Sequence, residues 1–377
     1  MLHPITQRPK RQLFLPIVAA AATMASSLLV AAPAAAAPEQ ERVERAEVTV
    51  RTQAERRTSQ DLRAFWTPER IERAARNPAD TPVVRPDAEP KAGGKAPRAE
   101  AETAPTATAD AVPPDNWAPR SSSSTISPLA VSVSQRVSNT YVQPQSAVGR
   151  IFFSNQAETE FSSCSGTSIN STTRNAVWTA AHCLHQGSGG EAGWFANHVF
   201  IPAYSNGSDP FGWYFGLSII ASNDWIDGGD LKDSDMGAMI VVPEDGLDLQ
   251  GRVGGWGYTF GGGTAFTNAR SYGYPVIGYN RPDSDFADGE YMMFCEGNIV
   301  DAANLNPLDD RLRMNCDMGG GSSGGPMATG VGTSGGPRIV GVNGHRNVNS
   351  NGNYIDNYLF SANHGSTAVS IINAVNS

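Results

Sequence analysis

Cysteine is scarce, with four in 377 residues and no Cys-x-x-Cys spacing, which removes the usual zinc-finger and dithiol-redox patterns. Long apolar runs are equally rare: after residue 35 none approaches the ~20 residues needed to cross a bilayer as a helix. Positive charge is thin where glycine is abundant. Residues 1–120 hold 17 Lys+Arg against 15 Asp+Glu, two Gly and no Cys, whereas residues 121–377 hold 11 against 22, with 37 Gly and all four Cys. An acidic surface repels phosphate backbones and anionic headgroups, so nucleic-acid binding and electrostatic membrane docking are not expected. The chemistry is therefore to be sought in the acidic, glycine-rich part.

The first residues read as an address. Arg8, Lys10 and Arg11 precede the apolar stretch Leu13 to Val30, and Ala34-Ala35-Ala36 supplies small residues at the two positions a signal peptidase reads. A signal peptide over residues 1–36 is expected; an uncleaved anchor is the alternative, against which the short run ending in Ala and Pro argues. Export as a secreted, extracellular protein would place the chain where disulfides persist. Residues 37–125 are expected to be a propeptide and linker. In them, Thr67-Pro68-Glu69-Arg70 looks like a helix start, with Thr67 as N-cap and Pro68 at the first helical position. Between Ala79 and Arg120 there are 8 Pro and 11 Ala in 42 residues with few large apolar side chains, a composition that reads as a disordered tether. Removal is expected near Arg120 to Leu129; the competing reading is a permanent N-terminal interaction arm.

Residues 126–377 can bury one full core. From Ala147 onward, runs such as Ile151-Phe152-Phe153, Val199-Phe200-Ile201, Met239-Ile240-Val241-Val242 and Ile339-Val340-Gly341-Val342 are short and bounded by turn formers, the signature of strands in an all-β domain. A glycine share of about one in seven suits tight turns and would break helices. Only Ser366 to Val375, with Val369, Ile372 and Val375 three apart, reads as a C-terminal helix. Cys164 and Cys183 lie 19 apart and Cys295 and Cys316 lie 21 apart. Three connectivities are open; sequence-local pairing is favoured because each pair brackets two strand-like runs, and closing such a loop stabilises by about 3 kcal/mol. A metal reading of His182-Cys183 lacks partners at ligand spacing.

Three segments carry the chemistry: Cys164-Ser165-Gly166-Thr167 followed by Ala180-Ala181-His182-Cys183, then Asp235-Met236-Gly237-Ala238, then Gly321-Ser322-Ser323-Gly324-Gly325-Pro326. In this order, with gaps of 53 residues from His182 to Asp235 and 88 from Asp235 to Ser323, they resemble the trypsin-like, chymotrypsin-fold serine proteases over about residues 147–377. The resemblance implies two six-stranded antiparallel β-barrels and a serine endopeptidase without cofactor or metal. It implies His182, Asp235 and Ser323 as catalytic residues, and the N–H groups of Gly321 and Ser323 as the oxyanion hole. The chemistry needs these residue types. A serine hydroxyl is a weak nucleophile at neutral pH, so Ser323 requires His182 to take its proton, and a carboxylate at Asp235 would fix the imidazole tautomer and stabilise the imidazolium. Asp230 and Asp233 compete with Asp235, which is preferred because the apolar strand starts just after it. Gly321-x-Ser323-x-Gly325 also fits the nucleophile elbow of α/β-hydrolases, where a helix must follow and the histidine lies downstream; His345 and His364 keep an exported esterase open. A catalytically silent binding or adhesion protein on the same fold is the third reading.

The residue before the nucleophile is Ser322 and no Ile-Val-Gly-Gly-type start is present. In both respects the chain looks more like the bacterial secreted branch, which includes the glutamyl endopeptidases, than like animal members. Four residues are candidates for the substrate pocket. Asp317, six before the nucleophile, would favour a basic substrate residue if unpaired, whereas His345 or Arg346 would favour an acidic one, with Asn343 on the same wall; a pairing of Arg346 with Asp317 is the third reading and would leave neither preference. The expected partners are a protein or peptide substrate and the chain's own propeptide, acting on a monomer. Asp227-Gly228-Gly229-Asp230 offers too few carboxylates to argue for Ca²⁺.

Overall fold

A computed structural model describes residues 46–53, 57–79, 105–116, 130–304 and 309–377. The expected signal peptide and the expected cleavage region from Arg120 to Leu129 lie outside them. Among the described residues no helix is long and apolar enough to cross a membrane.

Two sheets form the body. In the first, β4 (Val148–Ser154), β5 (Phe161–Ile169), β6 (Ala176–Thr179), β7 (Ala196–Pro202), β8 (Tyr214–Ser222) and β9 (Gly237–Pro243) close a six-stranded antiparallel barrel, because β8 pairs with both β7 and β9. Side chains from both faces of these strands, among them Ile151, Phe152, Val177, Trp178, Phe200, Phe215 and Met239, are buried, because one face fills the closed barrel and the other is covered by neighbouring elements. The second sheet is wider than the expected six strands. It orders β16 (Tyr358–Ser361), β13 (Leu312–Asn315), β12 (Met293–Asp301), β11 (Phe266–Gly273), β14 (Pro326–Thr329), β15 (Arg338–Val342), β10 (Gly257–Phe260) and β2 (Ala107–Ala109), with β3 (Val131–Arg136) on β12. The extra width comes partly from the N-terminal segments β2 and β3, and β10 lies parallel to β15. The terminal helix α5 (Ser366–Asn376) buries Val369, Ile372 and Val375, the face its three-residue spacing dictates. The all-β, two-sheet architecture with a C-terminal helix is thus the one the sequence led us to expect.

The described parts of the segment expected to be propeptide fold against this body. Strand β1 (Val48–Thr52) extends the barrel sheet by pairing antiparallel with β8, Val48 opposite Ser222 and Thr52 opposite Ser218. Helices α1 (Ser59–Phe65) and α2 (Pro68–Arg76) follow, the first closed by a capping box of Thr58 and Asp61, the second by Thr67 with Pro68 as first residue, as its sequence signals require. Leu62, Phe65, Trp66, Ala74 and Ala75 are buried in the same core as the barrel. The tether expected between Ala79 and Arg120 needs correction for its described part. Ala107–Ala109 pair with Tyr258–Phe260, Arg338 binds Asp110, and Asp115 takes a bidentate contact at 2.8 Å from Arg174. Composition misleads there because an edge strand offers main-chain hydrogen bonds, and accepting them requires no large apolar side chain.

Candidate active site

The barrel brings His182 and Asp235 together by strand pairing. Thr179, the last residue of β6, lies opposite Gly237, the first of β9. The short turn Ala181–Cys183 after β6 and the residue Asp235 just before β9 therefore meet at one end of two neighbouring strands. His182 Nδ1 lies 3.0 Å from both carboxylate oxygens of Asp235, and the His182 main-chain N–H donates to Oδ1 at 3.0 Å. Both residues are buried. Burial acts to raise the Asp235 carboxyl, but attraction to His182 and the hydrogen bonds from its ring and backbone outweigh this and hold it below the usual carboxylate range. Neither Asp230 nor Asp233 takes this place: Asp230 Oδ1 accepts the Lys232 N–H instead. A disulfide joins Cys164 of β5 to Cys183 beside His182, and a second joins Cys295 to Cys316, so the sequence-local connectivity is the one formed. The described clusters of potential metal ligands, Cys164/His182/Cys183 and Cys295/Cys316/Asp317, are built on these disulfide sulfurs, which are not thiolates.

Ser323 sits in the glycine turn between β13 and β14, stitched to the first barrel. Ser165 N–H donates to Ser323 O at 2.7 Å and its hydroxyl to Gly321 O at 2.9 Å. Gly321 has φ +93 and Gly324 φ +77, left-handed conformations that suit glycine. A Cβ on Gly324 would also run into Thr179 Oγ1 and lie 2.5 Å from Ser165 O. In this turn Gly319 N–H donates to Ile277 O, Gly320 to the Tyr354 hydroxyl, Ser322 to Gly319 O, Gly324 to Asn343 O and Gly325 to Ser322 O. Among the described residues no acceptor answers the N–H groups of Gly321 and Ser323. His182 Nε2 is likewise buried without a hydrogen-bond partner.

The four pocket candidates separate. A narrow recess beside Ser323 is lined by Gly319, Asn343, His345, Arg346 and Tyr354, among others, but not by Asp317. Asp317 is buried and fully engaged: Oδ2 accepts from Arg281 Nη1 at 3.0 Å, and Oδ1 from Ser134 N–H at 2.8 Å. Arg346 does not pair with it; its guanidinium donates to the carbonyls of Cys316, Met318 and Asp356 at 2.5–2.8 Å. Asn343 donates to Tyr272 O and Ser322 O and accepts from the Ser271 hydroxyl. His345 Nε2 lies 2.7 Å from Arg311 Nη1, and because a guanidinium only donates, the ring proton belongs on Nδ1, which is buried and unpartnered. Burial first, then the Arg311 charge, push His345 down to about 3. Tyr354, Arg281 and Arg311 had no signal in the sequence, whereas Ser165 lies inside the first motif segment, next to Cys164.

No protein-family model matches the sequence, and no curated protein matches it. Solved structures do. A protease, Anisep from Arthrobacter nicotinovorans, superposes with TM-score 0.54 at 27% identity over 64% of this chain and 98% of its own. A thermostable serine protease, AL20, from an extremophilic microorganism superposes with TM-score 0.51 at 25% identity over 61% of this chain and 97% of its own. With its closed barrel, second sheet and terminal helix, this chain has the trypsin-like fold of bacterial serine proteases.

Proposed function

We propose that the protein is a secreted serine endopeptidase in which Ser323 attacks a peptide carbonyl, His182 moves the proton and Asp235 holds His182. The observation that carries this reading is the His182 ring: one nitrogen is fixed on a buried carboxylate at 3.0 Å while the other is buried and unpartnered. Nδ1 donates to Asp235, which leaves Nε2 as the base for the Ser323 hydroxyl. As the tetrahedral intermediate forms, its oxyanion meets the two N–H groups of Gly321 and Ser323 that have no acceptor among the described residues, each such donor being worth about 3–4 kcal/mol. Protonated His182 then gives its proton to the departing amine, and the acyl-Ser323 ester is hydrolysed by water activated at the same nitrogen.

With its carboxylate committed to Arg281 and Ser134, Asp317 offers no free anion, so selection of a basic substrate residue loses its physical ground. A recess lined by Asn343, His345 and Arg346 suits a polar substrate side chain. An esterase of the α/β-hydrolase type is disfavoured because the strand β14, not a helix, follows Ser323.

The test is to incubate the secreted protein and its Ser323→Ala variant with an unstructured protein and to map every new terminus by mass spectrometry. Cuts present with the parent and absent with the variant are expected. Absence of any Ser323-dependent cut would overturn the reading in favour of a silent binding protein.

A further inference from the structure

We infer that Asn77–Ala79 closes one side of the substrate cleft, so that residues 57–79 act as a built-in inhibitor of polypeptide access; this rests on the endopeptidase reading. The chain leaving α2 runs along the rim of β5. Ser163 N–H donates to Asn77 O and Ala79 N–H donates to Ser163 O, both at 3.0 Å, as a parallel bridge centred on Pro78. Asn77 Nδ2 adds bonds to Phe161 O at 2.9 Å and Ser162 Oγ at 3.0 Å. Ser163 precedes Cys164, whose disulfide ends beside His182, and Ser165 holds the Ser323 carbonyl. On its other side the Pro78 ring packs on Gly320, where a Cβ would lie 3.1 Å from Pro78 Cγ. Pro78 therefore stands between the nucleophile turn and the edge of β5.

A polypeptide whose scissile carbonyl faces Ser323 must leave the recess in one direction and pass this rim in the other. There it needs main-chain partners, and both the N–H and the C=O of Ser163 are already taken. The blocking segment is well anchored. Arg150, fully buried, donates to Ala75 O at 2.6 Å at the end of α2 and also to Ser163 Oγ and Asp288 O. Trp66 Nε1 donates to Asn197 O at 2.8 Å, and the Trp66 ring packs against Phe152 and Phe161. A cut between Asn116 and Ala130 would sever the chain without breaking any of these contacts. The inhibitor would stay bound until it is displaced or degraded.

A small reagent needs only Ser323, His182 and the two N–H groups; a protein substrate needs the rim as well. The full chain as secreted should therefore be labelled at Ser323 by a fluorophosphonate yet cut casein slowly, with initial rates taken while mass spectrometry shows residues 57–79 still present. Ala79→Pro, which removes the donor to Ser163, should raise the casein rate by about tenfold and leave the labelling rate within about twofold. Asn77→Ala, which loosens the same contact without a proline, should move the casein rate in the same direction and decides the matter if the first variant does not fold. Equal casein rates in parent and variants, with labelling intact, would overturn the inhibitor while leaving the protease reading standing. No labelling in any of them would overturn both.

Discussion

At the scale of single residues, the side chains proposed to act in concert are the easiest to find and the hardest to orient. Ala-Ala-His-Cys and Gly-x-Ser-Gly-Gly-Pro pointed to His182 and Ser323 because catalysis restricts residue type. Which of Asp230, Asp233 and Asp235 meets His182 depends on the opposition of Thr179 and Gly237, which no local pattern encodes. Asp235→Asn is expected to lower the protein-cutting rate by about 10⁴-fold with little change in melting temperature, since the amide leaves the wrong imidazole tautomer in place; a loss below about tenfold would sink the role given to it. Gly324→Ala should destabilise by about 2–4 kcal/mol through left-handed strain and the clash with Thr179, visible as a lower urea midpoint. Three histidines set the acid limit. Burial pushes His198 and His364 down to about 4 and His345 to about 3, from 6.5. Between those values and 6.5 the unfolded chain binds more protons than the folded one, so stability is full above about pH 6.5 and falls on acidification, by up to about 1.4 kcal/mol per pH unit for each histidine. His364 shows why: its Nε2 accepts from Trp178 Nε1 at 3.2 Å while Nδ1 faces Ala362 O, an arrangement only the neutral ring satisfies. Thermal melts that do not change between pH 7 and pH 4.5 would contradict this assignment.

Among the secondary-structure elements, legibility followed the reach of the interaction. Helix α2 announced itself through Thr67 and Pro68, and α5 through its apolar spacing, because caps and periodicity act within one or two turns. Strands were legible as runs, but their partners were not: β10 lies parallel to β15, 81 residues later at the Gly257 and Arg338 pairing, by a register that only the assembled sheet defines. The Cys164–Cys183 bridge ties β5 to the His182 turn. Replacing both cysteines by alanine is expected to cost about 3 kcal/mol and to reduce the protein-cutting rate as well, because the turn that aims His182 loses its brace. Denaturant titration and the casein assay, run on the same preparation, separate the two effects; full activity in a destabilised variant would show that the bridge does not position His182.

For the molecule as a whole, the proposed site lies where the two sheets meet, with His182 and Asp235 from the barrel and Ser323 from the second sheet. The described residues before 130 are built into this body rather than appended to it. Trp66 is buried in the barrel's own core cluster, so Trp66→Ala is expected to lower the global stability by about 3–5 kcal/mol. A loosely attached arm would tolerate the change with no shift in the melting curve, and that result would refute the integration of residues 57–79 into the fold.

By itself the sequence determined the class of chemistry, the strand-rich composition, the helix starts and the sequence-local disulfides, because each is written in side-chain type and short spacing. Only the tertiary structure decided that Asp317 is neutralised by Arg281, that His345 carries its proton on Nδ1, and that Asn77–Ala79 lie on the edge of β5. The first is an ion pair and the second a hydrogen bond from a guanidinium to a neutral ring, between residues 36 and 34 positions apart, set by burial that no local pattern reports. The third is made largely of main-chain N–H and C=O groups, which nearly every residue offers alike, so the choice of partner is left to the packing that brings two edges together.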